Sequence, residues 1–238
     1  MTQRQILITG ASSGIGQGIA QAFAAAGDGV LATGATAEEL ERAPQRDGIR
    51  YTVLDVRDGE AVKALVALMA EQTGLDVLVN CAGIINRGAE HDPEAFAHTL
   101  DVNLTGTLRA CSAARPLLAK SRGCIINTAS MLSFFGGGLV PGYSASKGGV
   151  AQLTKSLAIA YAAEGIRVNA VAPGWIATAL TQALRGDPER SRSILARTPL
   201  GRWGTPQDVA GPVLFLASEA ARFVTGVILP VDGGYLIT

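Results

Sequence analysis

Short runs of apolar residues recur along the whole chain, and this pattern constrains the fold more than any other feature of the sequence. The clearest run is LDVLVN (75–80), in which apolar side chains would point to both faces of an extended strand. A strand buried on both faces is typical of a parallel sheet that is covered by helices. Seven runs predict strands: QILIT, GVLAT, IRYTVLDV, LDVLVN, CIINTA, IRVNAVAP and TGVILPVD.

Helical segments alternate with these strands. GEAVKALVALMAEQTG (59–74) is amphipathic, QGIAQAFAAAG ends at Gly27, and further helices are predicted over about 93–120 and from about Tyr143 onward. No Pro/Ser-rich linker, charge block or repeat interrupts the alternation. A chain of 238 residues with this pattern is predicted to form one doubly wound α/β domain over residues 1–238, with a seven-stranded parallel sheet.

Charge and composition limit the classes of partner. Lysine plus arginine and aspartate plus glutamate both number 20, so no net field favours nucleic acid or an anionic membrane surface. The cysteines Cys81, Cys111 and Cys124 show no short pairing, and the histidines His91 and His98 are too few for a metal site. The start MTQRQILITG lacks the regions of a signal peptide, and no run of 18 apolar residues follows. We therefore expect a cytoplasmic protein that acts on a small molecule and binds no metal, nucleic acid or membrane.

A glycine-rich turn, Gly10–Gly16 (GASSGIG), follows the first predicted strand and opens the first helix. Glycines let the backbone turn sharply and approach a pyrophosphate, while the amides at the helix N-terminus attract its negative charge. The spacing GxxxGxG differs from GxGxxG, and the turn lacks the GK[ST] ending of loops that bind nucleoside triphosphates. Tight packing of a strand against a helix would explain the glycines equally well, so the turn does not by itself establish a dinucleotide site.

Tyr143 and Lys147 are four residues apart, which places both side chains on one face of a helix that begins near the tyrosine. A free phenol has a pKa of about 10, and a nearby ammonium group would favour the phenolate that an acid/base tyrosine requires. Ser130 follows the fifth predicted strand, and its hydroxyl could hold a substrate oxygen beside the phenol. A YxxxK pair is common by chance, and a solvated pair is its ordinary explanation. Together with the glycine-rich turn, however, these side chains predict an active site that uses a dinucleotide.

These motifs, in this order, resemble those of the short-chain dehydrogenase/reductase family, and the resemblance covers essentially the whole chain. The matching segments are Thr9–Gly16, Asp55–Val56, Asn80–Gly83, Asn103, Ser130, Tyr143–Lys147 and Pro173–Gly174. The resemblance implies a Rossmann-type fold, a nicotinamide cofactor and a catalytic tetrad, here Asn103, Ser130, Tyr143 and Lys147. One departure is Cys81, where the family usually has a second asparagine; because the following Ala-Gly is retained, we expect cofactor binding to be unaffected.

The resemblance also implies a role for each site residue. Tyr143, as the phenolate, would take the proton of a secondary alcohol while hydride leaves for the nicotinamide, and Ser130 would steady the oxygen. Lys147 would also bond the nicotinamide ribose, and Asn103 would help to hold a water beside it. The residues expected to contact the cofactor are Gly10, Ser12, Ser13, Gly14, Ile15, Gly16, Asp55, Val56, Asn80, Ala82, Gly83, Tyr143, Lys147, Pro173, Gly174, Ile176 and Thr178. For Asp55, contact with the adenine and a simple turn at a strand end are equally good explanations.

The choice between NAD and NADP depends on the end of the second predicted strand, where NAD enzymes usually carry an acid and NADP enzymes favour a basic residue. Here the sequence is Gly34-Ala35-Thr36, with neither charge, and Ser13 stands where an arginine often accompanies NADP use. Lack of a cation for the 2'-phosphate dianion is the more costly omission. We therefore expect NAD to be preferred, with NADP as the alternative.

Residues 176–204 depart from the regular pattern. The segment is polar, rich in arginine and interrupted by Pro188 and Pro199, which predicts a mobile helical flap over the substrate. Within the family, SMLSF (130–134), DPERSRSILAR (187–197) and GRWG (201–204) are most similar to 2-deoxy-D-gluconate 3-dehydrogenases and 2-keto-3-deoxy sugar-acid dehydrogenases. A hydroxylated acid needs hydrogen-bonding walls and a cation for its carboxylate. The candidate substrate residues are Asn86, Arg87, Met131, Gln182, Arg185 and Trp203, and surface solvation is the simpler explanation for any one of them taken singly.

The resulting hypothesis is NAD-dependent oxidation of a secondary hydroxyl in a deoxy or keto-deoxy sugar acid. One alternative is a 3-oxoacyl-[acyl-carrier-protein] reductase, but such an enzyme is expected to favour NADPH and to carry a basic patch, and neither is visible in the sequence. Another is a dinucleotide-binding protein without turnover, which the intact tetrad disfavours. By resemblance, Leu214–Ser218 and the final VDGGYLIT are expected to form subunit contacts in a homotetramer.

Overall fold

Seven parallel strands form one sheet in the computed structural model, which describes residues 3–238. The strands are β1 (Gln5–Thr9), β2 (Gly29–Gly34), β3 (Ile49–Val53), β4 (Val77–Asn80), β5 (Cys124–Thr128), β6 (Arg167–Pro173) and β7 (Ile228–Val231). Their spatial order is β3-β2-β1-β4-β5-β6-β7, and every neighbouring pair is parallel. Each apolar run forms a strand, and the predicted Rossmann-type domain with a seven-stranded parallel sheet is confirmed.

Helices connect the strands on both faces of the sheet. They are α1 (Gly14–Ala25), α2 (Ala37–Glu41), α3 (Gly59–Gln72), α4 (Pro93–Leu100), α5 (Gly106–Ser121), α6 (Pro141–Tyr161), α7 (Gln182–Arg185), α8 (Pro188–Ala196) and α9 (Pro206–Leu216). The helix predicted over about 93–120 is present without a break, and a π-helical turn at Asp101–Thr105 lies between its α4 and α5 parts. None of the helices within residues 3–238 is both long and apolar enough to cross a membrane.

Alternate side chains of a strand enter different cores. In β1, Ile6 and Ile8 pack on the side of α1 and α9, whereas Leu7 packs on the side of α3, α5 and α6. All three side chains are at most 2% exposed. Burying one such side chain contributes roughly 1.5–3 kcal/mol. Two-sided burial therefore explains why runs that are apolar throughout become the central strands.

The order of the strands reverses between β1 and β4, which opens a crevice at their carboxyl ends. From β1 the sheet runs outward to β2 and β3, and from β4 it runs the other way to β7. Ligands bind at such a point in open α/β sheets. A Cβ on Gly10, just after β1, would lie 2.5 Å from the backbone nitrogen of Ala82, just after β4. The two loops that form the floor of the crevice can approach this closely only because residue 10 is glycine.

Candidate active site

Tyr143, Lys147 and Ser130 meet at the carboxyl end of β5. Tyr143 and Lys147 lie one turn apart near the start of α6, and Ser130 follows β5 by two residues. Lys147 Nζ donates a hydrogen bond of 2.7 Å to the Thr128 carbonyl oxygen and lies 5.6 Å from the centroid of the Tyr143 ring. Ser130 and Tyr143 line a common cavity of about 250 Å³. The fold thus brings a phenol, a hydroxyl and an ammonium group together.

Burial sets the protonation of these groups in the chain alone. It raises the pKa of the Tyr143 phenol above its ordinary value, and a hydrogen bond with the Ser130 side chain opposes part of that rise. Burial also lowers the pKa of Lys147 to about 8. In the resting site the pKa of the phenol is therefore raised, not lowered as expected from the nearby Lys147 ammonium group, and loss of solvent is the largest cause.

Asn103, the fourth residue of the implied tetrad, lies in the π-helical turn Asp101–Thr105 and is fully buried. Its Oδ1 accepts the Ile84 N–H at 2.8 Å, and its Nδ2 donates to the Ile84 carbonyl oxygen at 2.9 Å. A Cβ on Gly83 would lie 3.3 Å from Asn103 Oδ1 and 3.6 Å from Lys147 Nζ. Gly83 thus lies between the Asn103 amide and the Lys147 ammonium group, and a side chain at this position would contact both.

A second cavity, of about 600 Å³, lies at the carboxyl ends of β1, β2 and β4. Among the residues predicted to contact the cofactor, those in its lining are Gly10, Ser12, Ser13, Asp55, Val56, Ala82 and Gly83. Those that line the cavity of about 250 Å³ instead are Ile15, Tyr143, Pro173, Gly174, Ile176 and Thr178. Asn80 lines neither cavity, because its buried side chain donates to Asn127 Oδ1 at 2.9 Å inside the sheet.

The glycine-rich turn suits a pyrophosphate for geometric reasons. Gly10 and Gly14 have φ values of 65° and 57°, in the left-handed region that favours glycine. A Cβ on Gly16 would overlap the Gly10 carbonyl oxygen. Ser13, the N-cap residue of α1, makes no side-chain capping bond, so the N–H groups of the first turn remain open to an anion. The residues present therefore fit a dinucleotide cofactor.

Asp55 forms a turn at the end of β3, and its side chain also reaches the cavity expected to hold the cofactor. Its carboxylate bonds the Arg57 guanidinium at 2.6–3.0 Å and accepts the Arg57 N–H at 2.9 Å, which makes a turn after β3. The hydrogen bonds with Arg57 lower the pKa of Asp55, so the carboxylate is ionised. The same side chain lines the cavity of about 600 Å³, and the turn therefore leaves it accessible to a cofactor.

Glu39 is a site residue that the sequence analysis missed. It belongs to α2, but its Oε2 accepts the Ala35 N–H at 2.9 Å and the Ser12 hydroxyl at 3.3 Å, which places an acid at the end of β2. Arg42 lines the same cavity. The available signal was the T-x-x-E spacing of Thr36 and Glu39, which is typical of a glutamate that folds back over the start of its helix.

The cavity around Tyr143 and Ser130 contains two of the candidate substrate residues, Arg87 and Met131. Trp175 lines the same cavity, and its indole N–H is buried without a hydrogen-bond partner within residues 3–238. Nothing in the sequence distinguished Trp175 from an ordinary core aromatic residue. The cavity thus offers a cation and an indole donor near the candidate acid/base.

The other four candidate substrate residues lie outside the lining of this cavity. The amide of Asn86 turns away and donates to a threonine of α4 at 3.3 Å. Gln182 and Arg185 are exposed on α7. Trp203 packs edge-on against Trp175, with ring centroids 5.9 Å apart, and so supports the cavity wall from behind.

The site thus combines proton-transfer groups with a cradle for a dinucleotide at the carboxyl edge of a doubly wound sheet. That combination defines a nicotinamide-dependent dehydrogenase. Comparison with known proteins agrees: a family model described as enoyl-(acyl carrier protein) reductase matches residues 10–236. The chain belongs to the short-chain dehydrogenase/reductase family.

Individual relatives match nearly the whole chain. The 2-dehydro-3-deoxy-D-gluconate 5-dehydrogenase of Bacillus subtilis (strain 168) is 47% identical over 237 residues, which cover 97% of this chain and 93% of that protein. The galactitol 2-dehydrogenase (L-tagatose-forming) of Cereibacter sphaeroides is 41% identical over 242 residues, which cover 97% and 94%. A crystal structure from Beutenbergia cavernae, assigned as an NAD(P)-dependent gluconate 5-dehydrogenase with NADP at low occupancy, has a TM-score of 0.90 and 42% identity, and the match covers 100% of this chain and 98% of that one.

Proposed function

We propose that this protein oxidises a secondary hydroxyl of a deoxy or keto-deoxy sugar acid and catalyses the reverse reduction. The observation that carries the proposal is the position of Arg87 in the lining of the cavity that also contains Ser130 and Tyr143. A guanidinium group binds a carboxylate through two parallel hydrogen bonds. One cavity therefore offers a cation for an acid group and a phenol for a hydroxyl. The name of the Bacillus subtilis relative supports the same substrate class.

The side chains of this chain have separate tasks in that reaction. A nicotinamide cofactor, when bound, supplies the centre that accepts or releases hydride. Tyr143 takes the hydroxyl proton during oxidation and returns it during reduction, and Ser130 holds the substrate oxygen next to the phenol. Lys147 holds an ammonium group 5.6 Å from the phenol ring and stabilises the negative charge that develops there.

The preferred cofactor in this proposal is NAD. The Glu39 carboxylate supports it, since an acid at the end of β2 can accept hydrogen bonds from the adenosine ribose and repels a 2'-phosphate. Arg42 lines the same cavity and is the group that would favour NADP instead. The test compares kcat/KM with the two cofactors for the native protein and for Glu39→Gln. We expect the native preference for NAD to fall by about tenfold in the variant, and a native preference for NADP would overturn the assignment.

A panel of substrates tests the proposed reaction, with nicotinamide absorbance as the readout. It contains deoxy and keto-deoxy aldonates, galactitol and a 3-oxoacyl thioester. The acids are expected to have the highest kcat/KM. A higher value for galactitol would place the chain with the polyol dehydrogenases instead, and turnover of the thioester without turnover of the acids would support the acyl-carrier-protein reductase alternative.

Assembly into a homotetramer is also part of the proposal. Phe215 of α9 is 45% exposed and Ile237 is 86% exposed, and both lie in the segments that the family resemblance assigns to subunit contacts. Large apolar side chains that are left exposed in one chain can be buried by contact with another copy of it. Size-exclusion chromatography with light scattering measures the mass of the assembly. A monomer at micromolar concentration would contradict the proposed tetramer.

A further inference from the structure

Glu90 is a buried carboxylate, only 1% exposed, on the short helical turn Ala89–His91 after β4. Its Oε1 accepts the N–H of Asn86 at 2.7 Å, and its Oε2 accepts the N–H of Tyr143 at 2.7 Å. Among the salt bridges within residues 3–238, none involves Glu90. Backbone N–H groups, rather than a cation, therefore compensate this charge.

The start of α6 explains the bond to Tyr143. The first N–H groups of a helix have no partner within the helix. In α6 the N-cap residue, Val140, has no side-chain group that could cap them, and Pro141 has no N–H. Glu90, 53 residues away in sequence, supplies the missing cap for Tyr143. Its negative charge also lies at the positive end of the helix dipole, where it is favourable.

The bond to Asn86 connects the same carboxylate to the substrate cavity. Asn86 lies between Ile85 and Arg87, and both neighbours line the cavity that contains Tyr143. One side chain thus joins the helix that carries the phenol to the loop that carries the candidate cation. The two bonds set the position of each relative to the other.

We propose that Glu90 is a positioning residue, which holds the Ile85–Arg87 loop against the start of α6 and so aligns the substrate hydroxyl with Tyr143. The inference rests on the proposed function in one respect, the use of Tyr143 as the acid/base. It applies to any alcohol that the protein oxidises, so the identity of the substrate does not affect it.

Glu90 also acts on the phenol through space, because its negative charge raises the pKa of Tyr143. The other ionisable groups on the elements packed around Glu90 and Tyr143 are Arg87, His91, Asp92, Glu94, His98, Asp101, Lys147, Lys155 and Tyr161. Replacing Glu90 by a neutral residue leaves all of these unchanged. A shift in the pH profile of such a variant would therefore report the Glu90 charge.

Glu90→Gln is the first test, measured as kcat, KM and pH profile on the best substrate of the panel. The amide keeps the size of the side chain but replaces one acceptor oxygen with an NH2 group, which cannot accept an N–H. We expect the plateau kcat to fall by about tenfold, with KM changed by less than about threefold. The acid limb of the oxidation profile should move to lower pH, because removing the Glu90 charge removes one of the effects that raise the pKa of Tyr143. The control is Glu94→Gln, an exposed glutamate of α4, for which neither change is expected.

Gly142→Ala tests the same contact from the helix without a change of charge. The added Cβ would lie 3.3 Å from Glu90 Oε2 and 3.3 Å from Phe96 Cα, so the carboxylate must shift by a few tenths of an ångström. We expect kcat to fall by about threefold, with the pH profile unmoved. Thermal unfolding and cofactor binding, measured for every variant, show whether it is folded.

Two outcomes overturn the inference. One is a folded Glu90→Gln variant with kcat within twofold of native and an unshifted profile. If Glu90→Gln does not fold, the test passes to Gly142→Ala. A kcat equal to that of the native protein in this variant would then overturn the inference. Full activity of Tyr143→Phe, by contrast, would overturn the acid/base assignment itself, which separates failure of the proposed function from failure of the positioning role.

Discussion

Replacing Arg87 should weaken the binding of a sugar acid without weakening the chemistry. A charge-assisted hydrogen bond contributes about 1.5–3 kcal/mol. Arg87 is exposed at the cavity lining, so solvent screens the pair and the lower value applies. A loss of about 1.5 kcal/mol corresponds to roughly a tenfold change in an equilibrium constant. Because the carboxylate lies away from the reacting carbon, we expect Arg87→Met to raise KM about tenfold and to change kcat by less than about threefold.

The assay follows initial rates by nicotinamide absorbance, with a deoxy aldonate and a neutral polyol as substrates. KM for the polyol should stay within about twofold, since it has no carboxylate to lose. Arg50→Met is the matched control, because Arg50 is exposed on β3, far from the cavity lining, and loses the same charge. Equal KM changes for the acid and the polyol would refute the reasoning. If Arg185→Met raises KM for the acid and Arg87→Met does not, the carboxylate binds at α7 instead.

Further predictions concern the acid/base, the buried lysine and two glycines at positive φ. Tyr143→Phe should lower kcat by about 10²–10⁴-fold while cofactor binding, measured by fluorescence titration, is retained. The active base is the phenolate, and burial raises the pKa of Tyr143. On the alkaline side of neutrality, kcat/KM of the native protein should therefore rise with pH for oxidation and fall with pH for reduction. Lys147→Met should raise the melting temperature at pH 7 while it abolishes turnover. Gly10→Ala places a Cβ 2.5 Å from the Ala82 backbone and should lower the free energy of unfolding by roughly 2–4 kcal/mol, whereas Gly27→Ala, also at positive φ but with open space around the new Cβ, should cost about 1 kcal/mol by denaturant unfolding.

The architecture could be predicted because each strand has its own local signal. The runs that are apolar throughout require two buried faces, and helices on both sides of a parallel sheet provide them. The shared face of Tyr143 and Lys147 was also predictable from a local pattern, because residues four apart lie on one face of a helix. No such period exists for α7, which has only four residues, and the sequence therefore could not show that Gln182 and Arg185 would face solvent.

The contacts that complete the site were not predictable, because they join residues that are distant in sequence. Glu90 caps Tyr143 across 53 residues, and no local pattern marks a carboxylate that serves another element's helix. The Asn103 side chain, on the π-helical turn, likewise bonds the Ile84 backbone, 19 residues earlier. Glu39 differs from these two, since the spacing of its capping motif was visible but its position in the cofactor cavity depends on how α2 packs against the glycine-rich turn.

Burial of the Lys147 ammonium group lowers the stability of the folded protein at neutral pH, and this cost indicates the role of Lys147 beside the phenol. Its pKa is lowered to about 8, below the value of an unfolded lysine near 10.5, because burial disfavours the ammonium form. The folded state therefore loses stability below about pH 8, and the loss disappears as pH rises from about 8 to about 10.5. Since one pKa unit corresponds to about 1.4 kcal/mol, lowering the pKa from 10.5 to about 8 makes the cost at pH 7 on the order of 3 kcal/mol. Methionine would avoid it, which is why Lys147→Met should be more stable at pH 7 but no more stable above about pH 10.5. The phenol beside it is neutral at rest, so the ammonium group has little to attract until the proton leaves Tyr143. Its stabilising effect is then greatest while negative charge develops on the phenol, which is where an interaction lowers a barrier rather than tightening a complex.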